Sequence, residues 1–207
     1  MNRNSWIAGS SSVLLLAALV GGCRNRAEVA TRGSDTAAGG ESAAIGTDTA
    51  AAPASNELSD ANIAALVDEA NKADSSAGAI AVKKASSADV KRFARMMMGE
   101  HHALRVEGQQ VVKKANITPE PPANDPVAPM AQQETQVLQS TAAGPAFDKA
   151  YIDQEVTAHR AVKDLLNQAE GAAKNADLKA AIQKATPVVE RHLKEAERLQ
   201  QQLAGKA

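Results

Sequence analysis

Apolar residues recur at three- and four-residue steps along four long segments of this chain, and that spacing is typical of helices that bury one face. The segments cover about residues 59–84, 88–115, 145–172 and 176–203. Aromatic residues make up only 2% of the chain, and alanine supplies much of its apolar content. Because alanine favours helix and buries little area, this composition indicates closely packed helices rather than sheets. We therefore predict an all-α fold.

The connections between the predicted helices indicate their topology. The proline-rich residues 116–129 cannot be regular helix and lead from the second helix toward the third, with a short helix predicted over residues 130–140. One long connection out of three distinguishes ferritin-like four-helix bundles from simple up-down bundles. We predict such a bundle over residues 57–207, with the long crossover between helices two and three. Pro187 interrupts the last helix, which either kinks there or restarts with Thr186 as its cap.

Residues 1–22 have the layout of a bacterial secretory signal. Arg3 precedes the apolar run VLLLAALV, which is too short to span a membrane comfortably, and two glycines and Cys23 follow it. This ending resembles a lipobox, in which the chain is cut before the cysteine and a lipid is attached to its sulfur; an ordinary signal peptide with a chance cysteine is the alternative. The pattern predicts a membrane anchor at Cys23. Since Arg24 stands where an aspartate would signal inner-membrane retention, we expect the outer membrane, facing the periplasm.

Residues 23–56 carry no helical or strand periodicity and are rich in Ala, Gly, Ser and Thr. Such a segment buries too little apolar surface to offset the entropy lost on ordering. We therefore predict a disordered tether between the lipid anchor and the helical domain.

Charge and motif content restrict the class of function. The formal net charge of −1 argues against a nucleic-acid-binding protein, which needs a basic face to neutralise phosphates. The last helix mixes both charge signs, so no protein partner can be identified from it. No glycine-rich phosphate loop, Ser-His-Asp arrangement or Cys-x-x-Cys pair occurs, so the sequence leans away from an enzyme without excluding one.

Three separated motifs carry a family resemblance. They read AGAIAVKKASSADVKRFARMMMGEHH, FDKAYIDQEVTAHRAV and LKAAIQKATPVVERHLKEA. In this order they resemble the bacterial family catalogued as domain of unknown function 4142, a ferritin-like family of exported proteins. The resemblance implies the fold and supplies almost no function. Glu100 stands where the family usually has Asp, and Asp74 where it usually has Glu; each keeps a carboxylate but changes its reach.

The histidines are the residues from which a site can be argued. His101, His159 and His192 lie on apolar stripes, whereas His102 is off its stripe and is expected to be solvated. These three histidines and Asp74 each lie close to the midpoint of a predicted helix. Since antiparallel helices of equal length share the height of their midpoints and each residue rises about 1.5 Å, we expect the four residues within roughly one helical turn of one another.

This placement predicts a site for a metal or a small ligand in the bundle core; as a metal site its ligands are His101, His159, His192 and Asp74. Imidazole ligands suit Fe, Zn or Cu and disfavour Mg and Ca. Further residues are predicted to orient these ligands or to add to them: Glu100, Glu155, Tyr151 and Glu190. The spacing departs from the ferritin di-iron template, which needs Glu-x-x-His on two helices, so iron oxidation is not predicted.

A structural interpretation of the same residues remains open. The histidines and Asp74 could form only a hydrogen-bond network that fixes the register of the helices. The protein would then be a structural or partner-binding module of the envelope. The run Met96-Met97-Met98 points around its helix and is not interpreted as a soft-metal site.

Overall fold

The computed structural model describes residues 58–205, and this part of the chain is helical with no strand. Its helices are α1 (Asp60–Lys84), α2 (Ala88–Lys114), α3 (Val127–Ser140), α4 (Pro145–Ala172) and α5 (Ala176–Ala204). The predicted all-α class is confirmed, and the four long helices lie within one residue of their predicted bounds. None of the helices described is both long enough and apolar enough to cross a membrane. The predicted signal peptide, Cys23 and tether lie outside the described residues.

Local side-chain contacts define where the helices begin. The Ser59 hydroxyl accepts from the Asn62 backbone N–H at 3.1 Å, and the Asn62 side chain accepts from the Ser59 backbone N–H at 3.1 Å, which is a capping box at the start of α1. Pro145 occupies the first turn of α4, where its missing N–H has no partner to lose. The side chain of Asn175 caps α5.

Two prolines lie inside helices. α3 begins at Val127, so Pro129 lies within its first turn and not, as predicted, in the irregular segment before it. This is tolerated because the first N–H groups of a helix have no intrahelical acceptor. α5 continues through Pro187 without ending, so a restarted helix capped by Thr186 does not occur. The Thr186 hydroxyl donates instead to the Ile182 carbonyl at 3.0 Å.

The four long helices pack side by side. α1 lies along α2, α4 lies along α5, α2 also contacts α5, and α1 contacts α4, while α3 lies against α1 and α4. Gly78 permits a close approach of α1 and α2: a Cβ there would lie 2.7 Å from the carbonyl oxygen of Ala94. The buried apolar side chains form two clusters, one around Phe93 and Phe147 and the other around Leu66 and Ile182.

Candidate metal centre

The buried polar residues occur where one apolar cluster gives way to the other along each helix. In α4, His159 lies between Val156 of the first cluster and Val162 of the second; Asp74 in α1 and His192 in α5 have corresponding positions. His101 follows the last buried residue of the first cluster in α2. The polar residues that the sequence places on apolar stripes therefore all face the core, at the same level along the packed helices.

The structure brings the three histidines together in the core. Each is at most 1% exposed, and their ring centroids are separated by 5.0–5.5 Å. His101 Nε2 lies 3.3 Å from His159 Nε2 and 3.1 Å from His192 Nδ1. One nitrogen from each ring therefore points to a common centre. These three are the inner nitrogens, and the other nitrogen of each ring is its outer nitrogen.

The outer nitrogen of His101 faces an oxygen that can only accept. Its Nδ1 lies 2.9 Å from Asn71 Oδ1. The orientation of the Asn71 amide is fixed, because its Nδ2 donates to the Val67 carbonyl at 2.8 Å. His101 Nδ1 therefore carries the hydrogen, and the inner Nε2 of the neutral ring carries a lone pair.

The other two histidines are arranged in the same way. His159 Nδ1 donates to the backbone carbonyl of Glu155 at 2.9 Å, and His192 Nε2 donates to Glu100 Oε2 at 2.8 Å. Glu100 also contacts Arg191 at the surface. Since all three outer nitrogens hold hydrogens, all three inner nitrogens present lone pairs to one another when the rings are neutral.

Three converging lone pairs in a buried centre need a positive charge between them, either a proton or a metal ion. A tetrahedral ion with Zn–N bonds of about 2.0–2.1 Å separates its ligand nitrogens by about 3.3–3.4 Å. The two inner distances of 3.1 and 3.3 Å lie close to that value. The rings can therefore take a metal ion with small adjustments of their positions.

The pKa values describe how the histidines share protons. Burial, together with the charge of His159, lowers the pKa of His101 to about 4. Burial likewise lowers the pKa of His192 to about 4, although the hydrogen bond that His192 donates to Glu100 acts to raise it. Burial also disfavours the charged form of His159, but the Glu155 carboxylate and the charge of Asp74 outweigh it and raise its pKa to about 9. At neutral pH the metal-free cluster therefore carries one positive charge, on His159, whose inner nitrogen then holds a second hydrogen.

Asp74 reaches the level of the histidines but contacts different atoms. Its Oδ2 lies 3.5 Å from Nδ1 of His101, on the outer side of that ring. Asp74, Glu155 and His159 form a second group, with one ligand atom of each within 4.8 Å of the others. The predicted role of Asp74 as a fourth ligand beside the inner nitrogens stays a prediction.

The predicted supporting residues have four different environments. Glu100 and Glu155 contact His192 and His159 as described above. The hydroxyl of Tyr151 is buried and has no hydrogen-bond partner among the described residues. Glu190 lies toward the surface, with its carboxylate 3.5 Å from the Lys163 amine, and the off-stripe His102 is exposed, as predicted.

Two buried polar residues were missed by the sequence interpretation. Asn71 orients His101, and Glu134 of α3 is a further buried carboxylate, 4% exposed. The signal that identified His101 applies to both, because Asn71 follows Val67 by four residues and Glu134 precedes Leu138 by four. A polar residue on the apolar stripe of the short crossover helix indicates a buried polar group, as it does on the long helices.

A small cavity and an open groove lie beside the buried centre. A cavity of about 20 Å³, room for about one water-sized species, is lined by residues that include Asp74 and His101. It shares Val67, Asn71 and Leu104 with an open groove of about 920 Å³ along α1, α2 and α5. Leu104 and Val67 are half-buried and line both cavities, so we expect any approach to His101 to pass these side chains.

Comparison with known proteins gives one match. The sequence model of a family described as "Domain of unknown function (DUF4142)" matches residues 46–199. Neither the curated proteins nor the solved structures include a significant match to the chain. The description names no activity, so the function has to be inferred from the geometry of the site.

Proposed function

The chain belongs to the DUF4142 family, as its three motifs predicted, and we propose from the geometry of its core that it binds one transition-metal ion at His101, His159 and His192. The observation that carries the proposal is the convergence of three inner nitrogens whose rings all donate outward to oxygen. Ligand histidines in metalloproteins almost always donate their second N–H to such a carbonyl or carboxylate, which fixes the ring and its tautomer. This buried constellation has the supporting contacts that a metal site needs.

The donor set narrows the class of ion. Three neutral imidazoles suit Zn, Cu or Fe and do not suit Mg or Ca. Three protein ligands leave a fourth position for water or another small ligand. We propose binding of the ion and assign no reaction to it.

We also propose that this domain is a ferritin-like four-helix bundle tethered in the cell envelope. The single long connection, which contains α3 and lies between α2 and α4, supports the bundle topology. The signal pattern of residues 1–22 and the lipobox ending at Cys23 support export and a lipid anchor on the outer membrane, facing the periplasm. Substituting Cys23→Ala should move the protein from the membrane fraction to the soluble fraction, and continued membrane association would contradict the anchor.

One observation favours a second role, in which the cluster is purely structural. Because the pKa of His159 is about 9, a proton can supply the positive charge at the centre at neutral pH. His159 would then donate to His101 across 3.3 Å, and the network would fix the register of α2, α4 and α5. In that case the protein would be a structural or partner-binding module of the envelope.

Metal content separates the two roles. The purified full chain is incubated with Fe, Zn or Cu, dialysed, and analysed for bound metal beside the double variant His101→Ala/His159→Ala. The matched control is His102→Ala, which removes an exposed histidine one residue from the site. We expect about one ion per chain in the wild type and the control, and loss of it in the double variant while circular dichroism stays helical. Sub-stoichiometric metal that does not rise on adding metal would refute the proposed function.

A further inference from the structure

Each of the three core histidines has a carboxylate beside its outer nitrogen. The nitrogen–oxygen separations are 3.5 Å for His101 and Asp74, 3.3 Å for His159 and Glu155, and 2.8 Å for His192 and Glu100. The side chains of Asp74 and Glu155 are 4% and 0% exposed, whereas that of Glu100 is 39% exposed. Of these three carboxylates, Glu100 is therefore the one that charges at the protein surface can reach, and it has the shortest contact with its histidine.

Glu100 lies on α2 directly before His101, yet it contacts a histidine of another helix. Successive helical residues are turned by about 100°, so His101 faces the core while Glu100 reaches toward α5. Its Oε2 accepts from Nε2 of His192. A carboxylate that accepts the outer N–H of a ligand histidine fixes the ring and makes its other nitrogen a stronger metal donor. α2 thereby supplies one proposed ligand and the partner of another.

The same oxygen of Glu100 has a second donor. Arg191, the residue directly before His192 on α5, donates from its guanidinium to Oε2. Its side chain is 54% exposed. One oxygen is therefore shared between a surface cation and the edge of a buried ring. The positive charge of Arg191 offsets part of the negative charge that Glu100 presents to His192.

We propose that Glu100 is a positioning residue of the metal centre and that the charge of Arg191 limits how strongly it acts on His192. This role rests on the proposed function, because it concerns the ion held by the inner nitrogens. Loss of the Glu100 charge should weaken metal binding, whereas loss of the Arg191 charge should strengthen it, since Oε2 then acts on His192 alone. An ion pair at the surface thus sets the affinity of a centre whose rings are at most 1% exposed.

A purely structural role of these contacts predicts a different sign for Arg191. If the ion pair only joined α2 to α5, loss of Arg191 would free the half-exposed Glu100 side chain. A side chain with more rotamer freedom makes a weaker hydrogen bond to its partner. Metal affinity would then fall on removing either residue, so the direction of the Arg191 effect distinguishes the two roles.

The Zn²⁺ affinity of the full chain, measured by competition with a chromophoric chelator, tests the proposed role. Glu100→Gln keeps an acceptor for His192 but removes the charge, and it should weaken binding about tenfold. Arg191→Gln should strengthen binding about two- to fivefold, the effect of one charge roughly 8 Å from a divalent ion near a protein surface. The matched control is Lys194→Gln, which removes an exposed positive charge three residues further along α5 and should change the affinity less than Arg191→Gln does.

The visible spectrum of bound Co²⁺ adds a measurement that a change in fold stability alone would not move. A weaker nitrogen donor lowers the ligand field, so Glu100→Gln should shift the Co²⁺ bands to longer wavelength. Arg191→Gln should shift them to shorter wavelength, and Lys194→Gln should leave them in place. Circular dichroism checks that each variant stays helical.

The outcomes separate this role from the proposed function. A wild-type chain that binds neither Zn²⁺ nor Co²⁺ would overturn both. Metal binding by the wild type that Arg191→Gln weakens, or changes no more than Lys194→Gln does, would overturn the role of the ion pair and leave the three-histidine site standing. Unchanged affinity and Co²⁺ bands in Glu100→Gln would also overturn it. Opposite shifts in the Glu100 and Arg191 variants would support it.

Discussion

Metal binding at the histidines should release one proton and depend strongly on pH in a range where ordinary histidines no longer titrate. The metal must displace the proton that His159 holds with a pKa of about 9. His101 and His192, each with a pKa of about 4, are already neutral at pH 7.5 and contribute nothing to this dependence. The competition between one proton and one metal ion therefore determines the affinity near neutral pH.

The magnitude follows from that single pKa. Between pH 7.5 and 8.5 the apparent affinity should rise about eightfold, and at pH 7.5 about one proton should leave per ion bound. Three histidines with the ordinary pKa of about 6.5 would instead give a rise of about 1.3-fold and release about 0.3 proton. The two cases can be distinguished with a modest measurement error.

Two measurements check this prediction. Competition for Zn²⁺ with a chromophoric chelator gives the affinity at both pH values, and calorimetry in buffers of different ionisation enthalpy gives the number of protons. Glu155→Gln should flatten the pH dependence, because it removes the carboxylate that raises the pKa of His159. The control Asp164→Asn, which changes an exposed carboxylate of α4, should keep it. Equal affinities at both pH values, with no proton released, would show that the metal does not displace a proton from His159.

Further predictions concern stability and access. Since the folded pKa values of His159 and Glu134 are both raised to about 9, the metal-free chain should lose unfolding free energy, seen in urea titrations, as the pH rises from 6.5 through 9, with His159 alone contributing about 3 kcal/mol; a constant value would contradict this. Gly78→Ala should destabilise the fold by about 1–3 kcal/mol, because its Cβ meets a backbone oxygen at 2.7 Å. Gly99→Ala, with no atom within 4 Å of its Cβ, should stabilise it by about 0.5–1 kcal/mol in thermal melts; equal shifts would contradict the close helix contact. Leu104→Ala should speed metal exchange by widening the approach to the site, whereas the exposed Val106→Ala should not; unchanged exchange would exclude this route.

Some of the site could be predicted because helical phase is local. The burial of His101 and the exposure of its neighbour His102 both follow from the 100° turn between successive residues. The same rule places Glu190, two residues before His192, on a different face of α5, and its support of the site stays a prediction. Its contact with Lys163 at the surface agrees with that phase.

The atoms that face the centre could not be predicted in this way. Asn71 decides which nitrogen of His101 points inward, and it does so across the contact between α1 and α2. Asp74 lies beside His101 but on the outer side of the ring, a distinction of a few ångströms that depends on how the two helices pack. Glu134 is buried only because the crossover places α3 against α1 and α4.

The sequence by itself therefore determined the family, the all-α class, the extent of each long helix and the polar residues on the buried stripes. These features depend on propensity and periodicity, which act over a few turns of one helix. Only the tertiary structure decided that three ring nitrogens converge with their lone pairs inward and that the carboxylates of Asp74 and Glu155 lie within 4.8 Å of a nitrogen of His159. Such features depend on the side-chain rotamers and helix contacts of several helices at once, and no single segment of sequence carries that information.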